Sequence, residues 1–246
     1  DTVRADPETI RALYGAAIDL GADRLVVCDT TGHITPWGTR NLVGFVKNLV
    51  EEKGVADRVK VDWHGHMDRG LGVINNIGAV RAGADRLHGT AMGIGERGGN
   101  APLDLTMVNL KLMGWLDQDM HHLSDYVRHA ANCCGFVIPS TYPVFGSDAF
   151  ETGTGVHAAA VIKAFHRNDS WLANRVYSGV PADEFGLKQK ILVGPMSGKS
   201  TVIFWLETHG IEPTEPLVDD IFAAAKRSRK NLNDGQLHDI VERHTH

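Results

Sequence analysis

The sequence predicts a parallel α/β fold of the barrel type over residues 1–114, followed by a mostly helical region over 115–246. Two observations predict it. Short apolar runs alternate with amphipathic helical segments as far as Gly114, the rhythm of successive βα units. The run Arg24–Cys28 is apolar at every position after its first, as a strand covered on both faces requires.

The elements follow in order. Asp6-Pro7-Glu8 opens the first helix: Asp6 is an N-cap residue, and proline fits a first turn whose amide has no helical acceptor. Ile10, Leu13, Tyr14, Ala17 and Ile18 give it an apolar stripe, and Gly21 ends it. After the strand Arg24–Cys28 come a helix from Pro36 to Lys53 and a strand from Val59 to Trp63. A helix opens in Asp68–Ile77 and closes by Ala84; Asp85–Ala91 reads as the next strand, and a last helix ends near Gly114. Three strands are too few for a closed eight-stranded barrel, which takes ~200–250 residues. About half a barrel is therefore expected, with raw sheet edges and an uncovered core. Upstream polypeptide or a separate chain would have to complete it.

After Gly114, Leu116–Ala131 reads as a helix that contains His121 and His122 as surface or packing residues. Gly135–Gly146 is irregular, with Pro139 and Pro143. A helix is expected over Gly155–His166 and a loop-rich stretch over Trp171–Gly186. A Gly-Pro and Ser-Gly turn precedes the apolar Val202–Leu206, and helices over Leu217–Ser228 and Asp234–Thr245 close the chain.

Bulk properties narrow the function. Hydrophobic residues are 43% and charged residues 22% of the chain, ordinary for a soluble globular protein. A formal net charge of -5 argues against nucleic acid as the main partner. No apolar run approaches the ~18 residues of a membrane span, and no signal peptide is expected. Three cysteines, with Cys133 and Cys134 adjacent, make no disulfide framework, so a reducing cytoplasmic setting is expected.

Two motifs carry the chemistry. In His64-Gly65-His66-Met67-Asp68 the period of two sends both imidazoles to one side of a strand end, a face shared by Asp62. Two imidazoles there can ligate one divalent ion, and a carboxamide oxygen from the next strand's loop can add a third ligand. That loop holds Gly93-Ile94-Gly95-Glu96-Arg97-Gly98-Gly99-Asn100. It also matches the dinucleotide fingerprint, but Glu96 and Arg97 stand where a pyrophosphate would approach. Gly194–Ser200 is one residue short of a P-loop, and its apolar run follows the motif instead of preceding it.

The run from His64 to Asp104 resembles the metal-dependent Claisen-condensing and lyase family of TIM-barrel enzymes. That family includes 2-isopropylmalate, homocitrate and citramalate synthases and 3-hydroxy-3-methylglutaryl-CoA lyase. Cys28–Pro36 is similar to its strand-end Asp-Thr-x-Gly segment, Arg4–Glu8 to its preceding helix start, and Gly153–His157 to the synthases' Ser-Gly-x-His segment. Tyr177 and Ser197-Gly198-Lys199 stand where the synthases have a tyrosine and a Ser-Gly-Lys/Arg turn.

The resemblance implies the C-terminal part of a TIM barrel as a catalytic domain over 1–114, and a linker subdomain over 115–246 that serves the partner protomer's site. It implies an acyltransferase closest to 2-isopropylmalate synthase, joining acetyl-CoA to a 2-oxo acid on a divalent metal (Mg, Mn or Zn). His64 and His66 would be ligands, with Asn100 a third ligand or a neighbour of the shell; its alternative role is to cap a helix. Thr30 would bind the oxo-acid carboxylate. Asp68 would orient a ligand histidine or cap the next helix. Glu96 would meet the acyl end or the catalytic water, or else only pair with Arg97. His157 and Tyr177 would transfer protons in the neighbouring protomer of a domain-swapped homodimer. Met67 stands where the synthases usually have asparagine, which would alter the pocket above the metal. The Arg-Asp pair of the family's first strand has no counterpart here, hence the expected upstream segment or separate chain. The lyase branch uses a cysteine near the metal, and Thr90–Asn100 has none. A citramalate or homocitrate synthase, a lyase, and a non-catalytic half-barrel subunit are the alternatives.

Overall fold

The computed structural model describes residues 1–245. The chain divides into two compact units: residues 1–118 with 126–136, and residues 119–125 with 137–246. No described helix is long and apolar enough to cross a membrane.

The first unit is a run of βα units. Helix α1 (Pro7–Asp19) starts at Asp6, whose carboxylate accepts from the Thr9 amide at 2.8 Å. Strand β1 (Arg24–Asp29), helix α2 (Pro36–Glu52), strand β2 (Lys60–Gly65), helix α3 (Gly72–Arg81), strand β3 (Arg86–Leu87) and helix α4 (Leu103–Leu112) follow. The strands form one parallel sheet in the order β1-β2-β3, with Cys28 opposite His64 and Trp63 opposite Leu87. The expected fold class is the one observed: parallel α/β, covering only part of a barrel, with a mostly helical C-terminal region.

The helix-facing side of this sheet is the core. Leu25, Val27, Val61 and Trp63 pack with Val43, Val46 and Val50 of α2 and Ala79 of α3. Trp63, Val27 and Val61 are fully buried. The alternate residues Val26, Cys28 and His64 are only half-buried. The expectation that β1 is covered on both faces thus holds for one face of this chain.

Helix α5 (Leu123–Cys134) begins later than expected, and His121 and His122 lie before it. Asp119 explains the shift, since its carboxylate accepts from the His121 amide at 2.9 Å and turns the chain.

In the second unit, strands β4 (Glu151–Thr152) and β5 (Lys190–Ile191) pair in parallel. Around them lie helices α6 (Gly155–His166), α7 (Ser170–Ala173), α8 (Lys199–Thr208), α9 (Glu215–Arg227) and α10 (Asp234–Thr245). Val202, Trp205 and Leu206 of α8, Leu217, Val218 and Ile221 of α9, and Leu237 and Ile240 of α10 share one core. The apolar run Val202–Leu206, left unassigned in the sequence, belongs to α8.

Candidate active site

The strand ends converge. Beyond β2 the His66 amide donates to the Asp29 carbonyl at 3.3 Å, and Met67 N–H donates to the Gly99 carbonyl at 2.9 Å. Ala101 N–H reaches back to the Gly65 carbonyl at 3.0 Å, and His66 forms a single antiparallel bridge with Asn100. The loop after β3 is thereby laced onto the end of β2. Its glycines permit this: a Cβ on Gly95 would overlap the Asn100 amide, and one on Gly99 would overlap the Gly93 carbonyl. The same loop holds Met92 and Arg97 at φ of 55° and 54°. Such a backbone costs of order 1–2 kcal/mol for a side-chain-bearing residue, so other contacts must impose it. At Met92 the fully buried Asp104 does so, accepting the Met92 amide at 2.6 Å.

His64 and His66 are side by side, with ring centroids 5.2 Å apart and planes at 87°. Burial, then the neighbouring His66 and His88 rings, push the His64 pKa down. A neutral imidazole with a free lone pair is the form a metal ion needs. His66 is buried, and its Nδ1 has no hydrogen-bond partner. The Asn100 amide nitrogen donates to the Ile94 carbonyl at 3.2 Å, which holds its side chain by the nitrogen end. Asn100 does not cap α4, whose N-cap is Pro102.

Two residues that sequence reasoning passed over belong here. The His88 ring lies 5.6 Å from His64, and its Nε2 is 3.2 Å from the buried Asp62 carboxylate. Asp62 also accepts from Arg24 at 2.6 Å, so it is a polar anchor on the His64 face. The one sequence signal for His88 was its period-two spacing from Arg86; the β2–β3 register that brings it to His64 comes only with the fold. Arg97 is the second. Its Nε donates to Asp68 Oδ1 at 2.8 Å, and its Nη2 donates to Asp68 Oδ2 at 3.3 Å and to the Thr30 carbonyl at 2.6 Å. One guanidinium thus ties together the loops after all three strands.

Asp68 is therefore held by the loop after β3. Its partner is Arg97, whose hydrogen bond holds its carboxyl below the usual carboxylate range. It does not cap α3, because the N-cap there is Leu71. The Met67 thioether sulfur accepts from Gly72 N–H at 3.2 Å and so folds back on the start of α3. Glu96 is 85% exposed, 3.5 Å from Arg97 Nη1.

In the second unit the structure brings together the two residues expected to act as a pair. The His157 ring, in the first turn of α6, stacks on Tyr177 at 4.2 Å and 29°. Both are exposed. Ser197 is a buried brace: its hydroxyl accepts from Gly194 N–H at 2.9 Å and donates to the Leu192 carbonyl at 3.0 Å. The adjoining Met196 carbonyl accepts the Gly155 amide that starts α6. Lys199 pairs with Asp219.

Residues 1–130 match the family model described as HMGL-like. This chain belongs to the HMGL-like family. Over 98% of its length it is 30% identical to the homocitrate synthase AksA of Methanopyrus kandleri, covering 58% of that protein. It is 32% identical over 92% of its length to a probable 2-isopropylmalate synthase of the same organism, covering 42% of it. A putative (R)-citramalate synthase CimA of Methanosarcina acetivorans is 29% identical over 98% of the chain, which covers 48% of that protein. The chain thus spans about half the length of the curated relatives it matches. Thr30, His64, His66, Glu96 and Asn100 fall inside the family match, while His157 and Tyr177 fall beyond it, inside the longer alignments to the synthases.

The donor set fits part of a metal shell. Two adjacent imidazoles, one with a buried nitrogen lacking any partner, suit a borderline divalent ion. Among the described residues, no group of three His, Cys, Asp or Glu side chains is arranged to hold one.

Proposed function

We propose that this chain is the metal- and substrate-handling part of an enzyme that condenses acetyl-CoA with a 2-oxo acid, of the 2-isopropylmalate synthase kind. The family and the synthases among its relatives support the class. The observation that carries the reading is the His64–His66 pair, with an unpartnered buried His66 Nδ1 beside the Asn100 loop.

His64 and His66 would hold the ion, with Asn100 next to it. When bound, a divalent ion supplies Lewis-acid polarisation of a chelated keto acid's carbonyl. The rest falls to the chain's own groups. The Thr30 hydroxyl binds the oxo-acid carboxylate, on a loop whose carbonyl Arg97 grips. Asp68 serves the substrate side by fixing Arg97. Glu96, exposed at the loop tip, meets the acyl end or the water that cleaves the thioester. The His157–Tyr177 stack moves the proton of the acetyl methyl group; a stacked phenol limits the ring positions open to the imidazole.

On this reading residues 1–114 are the catalytic part and 115–246 a linker that offers His157 and Tyr177 to the neighbouring protomer of a homodimer. The missing metal donors come from the remaining strands of a complete barrel, in the same polypeptide or another.

The test is thiol release from acetyl-CoA by the complete protein with Mg2+ or Mn2+, screened against 2-oxoisovalerate, pyruvate and 2-oxoglutarate. Release that depends on 2-oxoisovalerate is expected. Preference for pyruvate or 2-oxoglutarate would move the assignment to a citramalate or homocitrate synthase, and no release with any oxo acid would reject the class.

A further inference from the structure

Asp104 is a fully buried carboxyl group that the proposed chemistry does not use. It stands in the first turn of α4. A carboxyl group with no exposed surface is costly to bury unless hydrogen bonds hold it, and a carboxylate accepts more strongly than a neutral oxygen. Here it accepts the Met92 amide, at 2.6 Å.

That bond reaches the turn from which Asn100 is hung. Met92 has φ 55° and ψ 13°, and Gly93 has φ 71°. Glycine enters this left-handed region freely, whereas methionine enters it only under constraint. The two residues after Met92 then hold Asn100 at both ends. The Gly93 carbonyl accepts from Asn100 N–H at 2.9 Å, and the Ile94 carbonyl accepts from the Asn100 side-chain nitrogen at 3.2 Å. The Thr90 hydroxyl donates to the same Ile94 carbonyl at 2.7 Å. The packing leaves no slack between the two arms of the loop. A Cβ on Gly93 would lie 2.6 Å from the Asn100 carbonyl, and one on Gly99 would lie 2.0 Å from the Gly93 carbonyl. A shift at Met92 would therefore pass to Asn100 and, through its antiparallel bridge, to His66.

We propose that Asp104 is a positioning residue of the metal site: by fixing Met92 in its left-handed conformation, it sets Asn100 beside His66. The inference rests on the metal-dependent reading of the His64–His66 pair. Val108 supplies the contrast. It lies one turn further along the same face of α4 and is buried to 2% exposure, but its side chain can offer the loop no hydrogen bond.

Two measurements on the complete protein test this: Mn2+ binding read by electron paramagnetic resonance, and amide hydrogen exchange of the metal-free protein. Asp104→Asn keeps the size of the side chain and removes its charge. Its Mn2+ affinity should fall about 10–100-fold, the range for groups that orient metal ligands from behind. The Met92 and Asn100 amides should exchange about ten-fold faster or more without metal. Val108→Ala, at a temperature where it is folded, should leave Mn2+ affinity within about two-fold. Met92→Val strikes the same turn from the other end, because a β-branched residue resists a positive φ, and should also lower Mn2+ affinity about ten-fold. It keeps the proposal open to refutation if Asp104→Asn does not fold. Unchanged Mn2+ affinity in Asp104→Asn or Met92→Val, an equal loss in Val108→Ala, or unchanged exchange at Met92 and Asn100 would overturn the proposal. A wild type that holds no Mn2+ would instead reject the metal reading on which it rests.

Discussion

The two faces of β1 and β2 differ in kind, although their residues alternate along the same strands. On the helix side Val27, Val61 and Trp63 have no exposed surface and pack with Val43, Val46 and Val50. On the other side the buried Asp62 is paired with Arg24, Arg86 and His88, and Cys28 and His64 are half open. The first face holds the sheet on its helices by area removed from water. The second closes over a carboxylate and its cations, leaves His64 half open, and ends in the buried His66. Stability and chemistry are thus interleaved one residue apart, so a substitution's position along the strand foretells which of the two it damages.

Trp63→Ala is the strongest way to break this division. Trp63 is fully buried against α2 and α3, so truncation should lower unfolding stability by about 3–5 kcal/mol. Chemical denaturation followed by far-ultraviolet circular dichroism measures it, and a loss below about 1 kcal/mol would mean that this face is not the core. His66→Ala, three residues on, should do the reverse. It removes a buried nitrogen that has no partner, so stability should change by no more than about 1 kcal/mol. Binding of Mn2+ by the complete protein, read by electron paramagnetic resonance, should fall by two orders of magnitude or more. Retained Mn2+ affinity would detach the imidazole pair from any metal.

The contrast also explains what the sequence made legible. Apolar periodicity reports burial, so elements with a strong packed face were readable: α6 lies at Gly155–His166 as expected, and α1, α2 and α10 within a residue or so. Elements fixed by a single polar contact or by distant pairing were not. The helix expected from Leu116 begins at Leu123 because Asp119 turns the chain first. β3 was expected over Asp85–Ala91 but pairs only at Arg86–Leu87, since Thr90 N–H leaves the sheet for the Ala101 carbonyl. The β4–β5 pair joins two-residue strands far apart in sequence, which no local pattern announces. At the site, period two was enough to place His64 beside His66. His88 and Arg97 needed register and loop closure, which are tertiary facts.

Arg97 allows a finer test, because its contacts belong to the loops and not to either face. Arg97→Gln removes the paired donors to Asp68 and alters the grip on Thr30. The ion pair is partly exposed, so the stability cost should stay near about 1 kcal/mol in a thermal melt. The larger effect should be on the site, as with residues that orient metal ligands: a loss of about 10–100-fold in Mn2+ affinity. If stability and affinity fell in the proportion seen for a remote surface ion pair, the clamp would be structural only.

The smallest expected effect tests the rim of the packed face. Asp85 accepts the first amide of the β2 core, Val61 N–H, at 2.8 Å and pairs with Lys47 at 3.1 Å. Burial opposes its charge, but the Val61 amide and Lys47 outweigh it and hold the carboxyl below its ordinary value. A depressed carboxylate favours the folded state above the unfolded aspartate pKa of about 3.9 and loses that contribution as pH falls through the folded value. Asp85→Asn should therefore cost little at pH 7, about 0.5–1 kcal/mol for a partly exposed pair, and the wild type should lose its advantage as pH drops below about 4. Urea melts of both proteins at pH 7 and pH 3 give the comparison. A difference that persists undiminished at pH 3 would show that Asp85 acts through neutral hydrogen bonding, and that the rim owes nothing to charge.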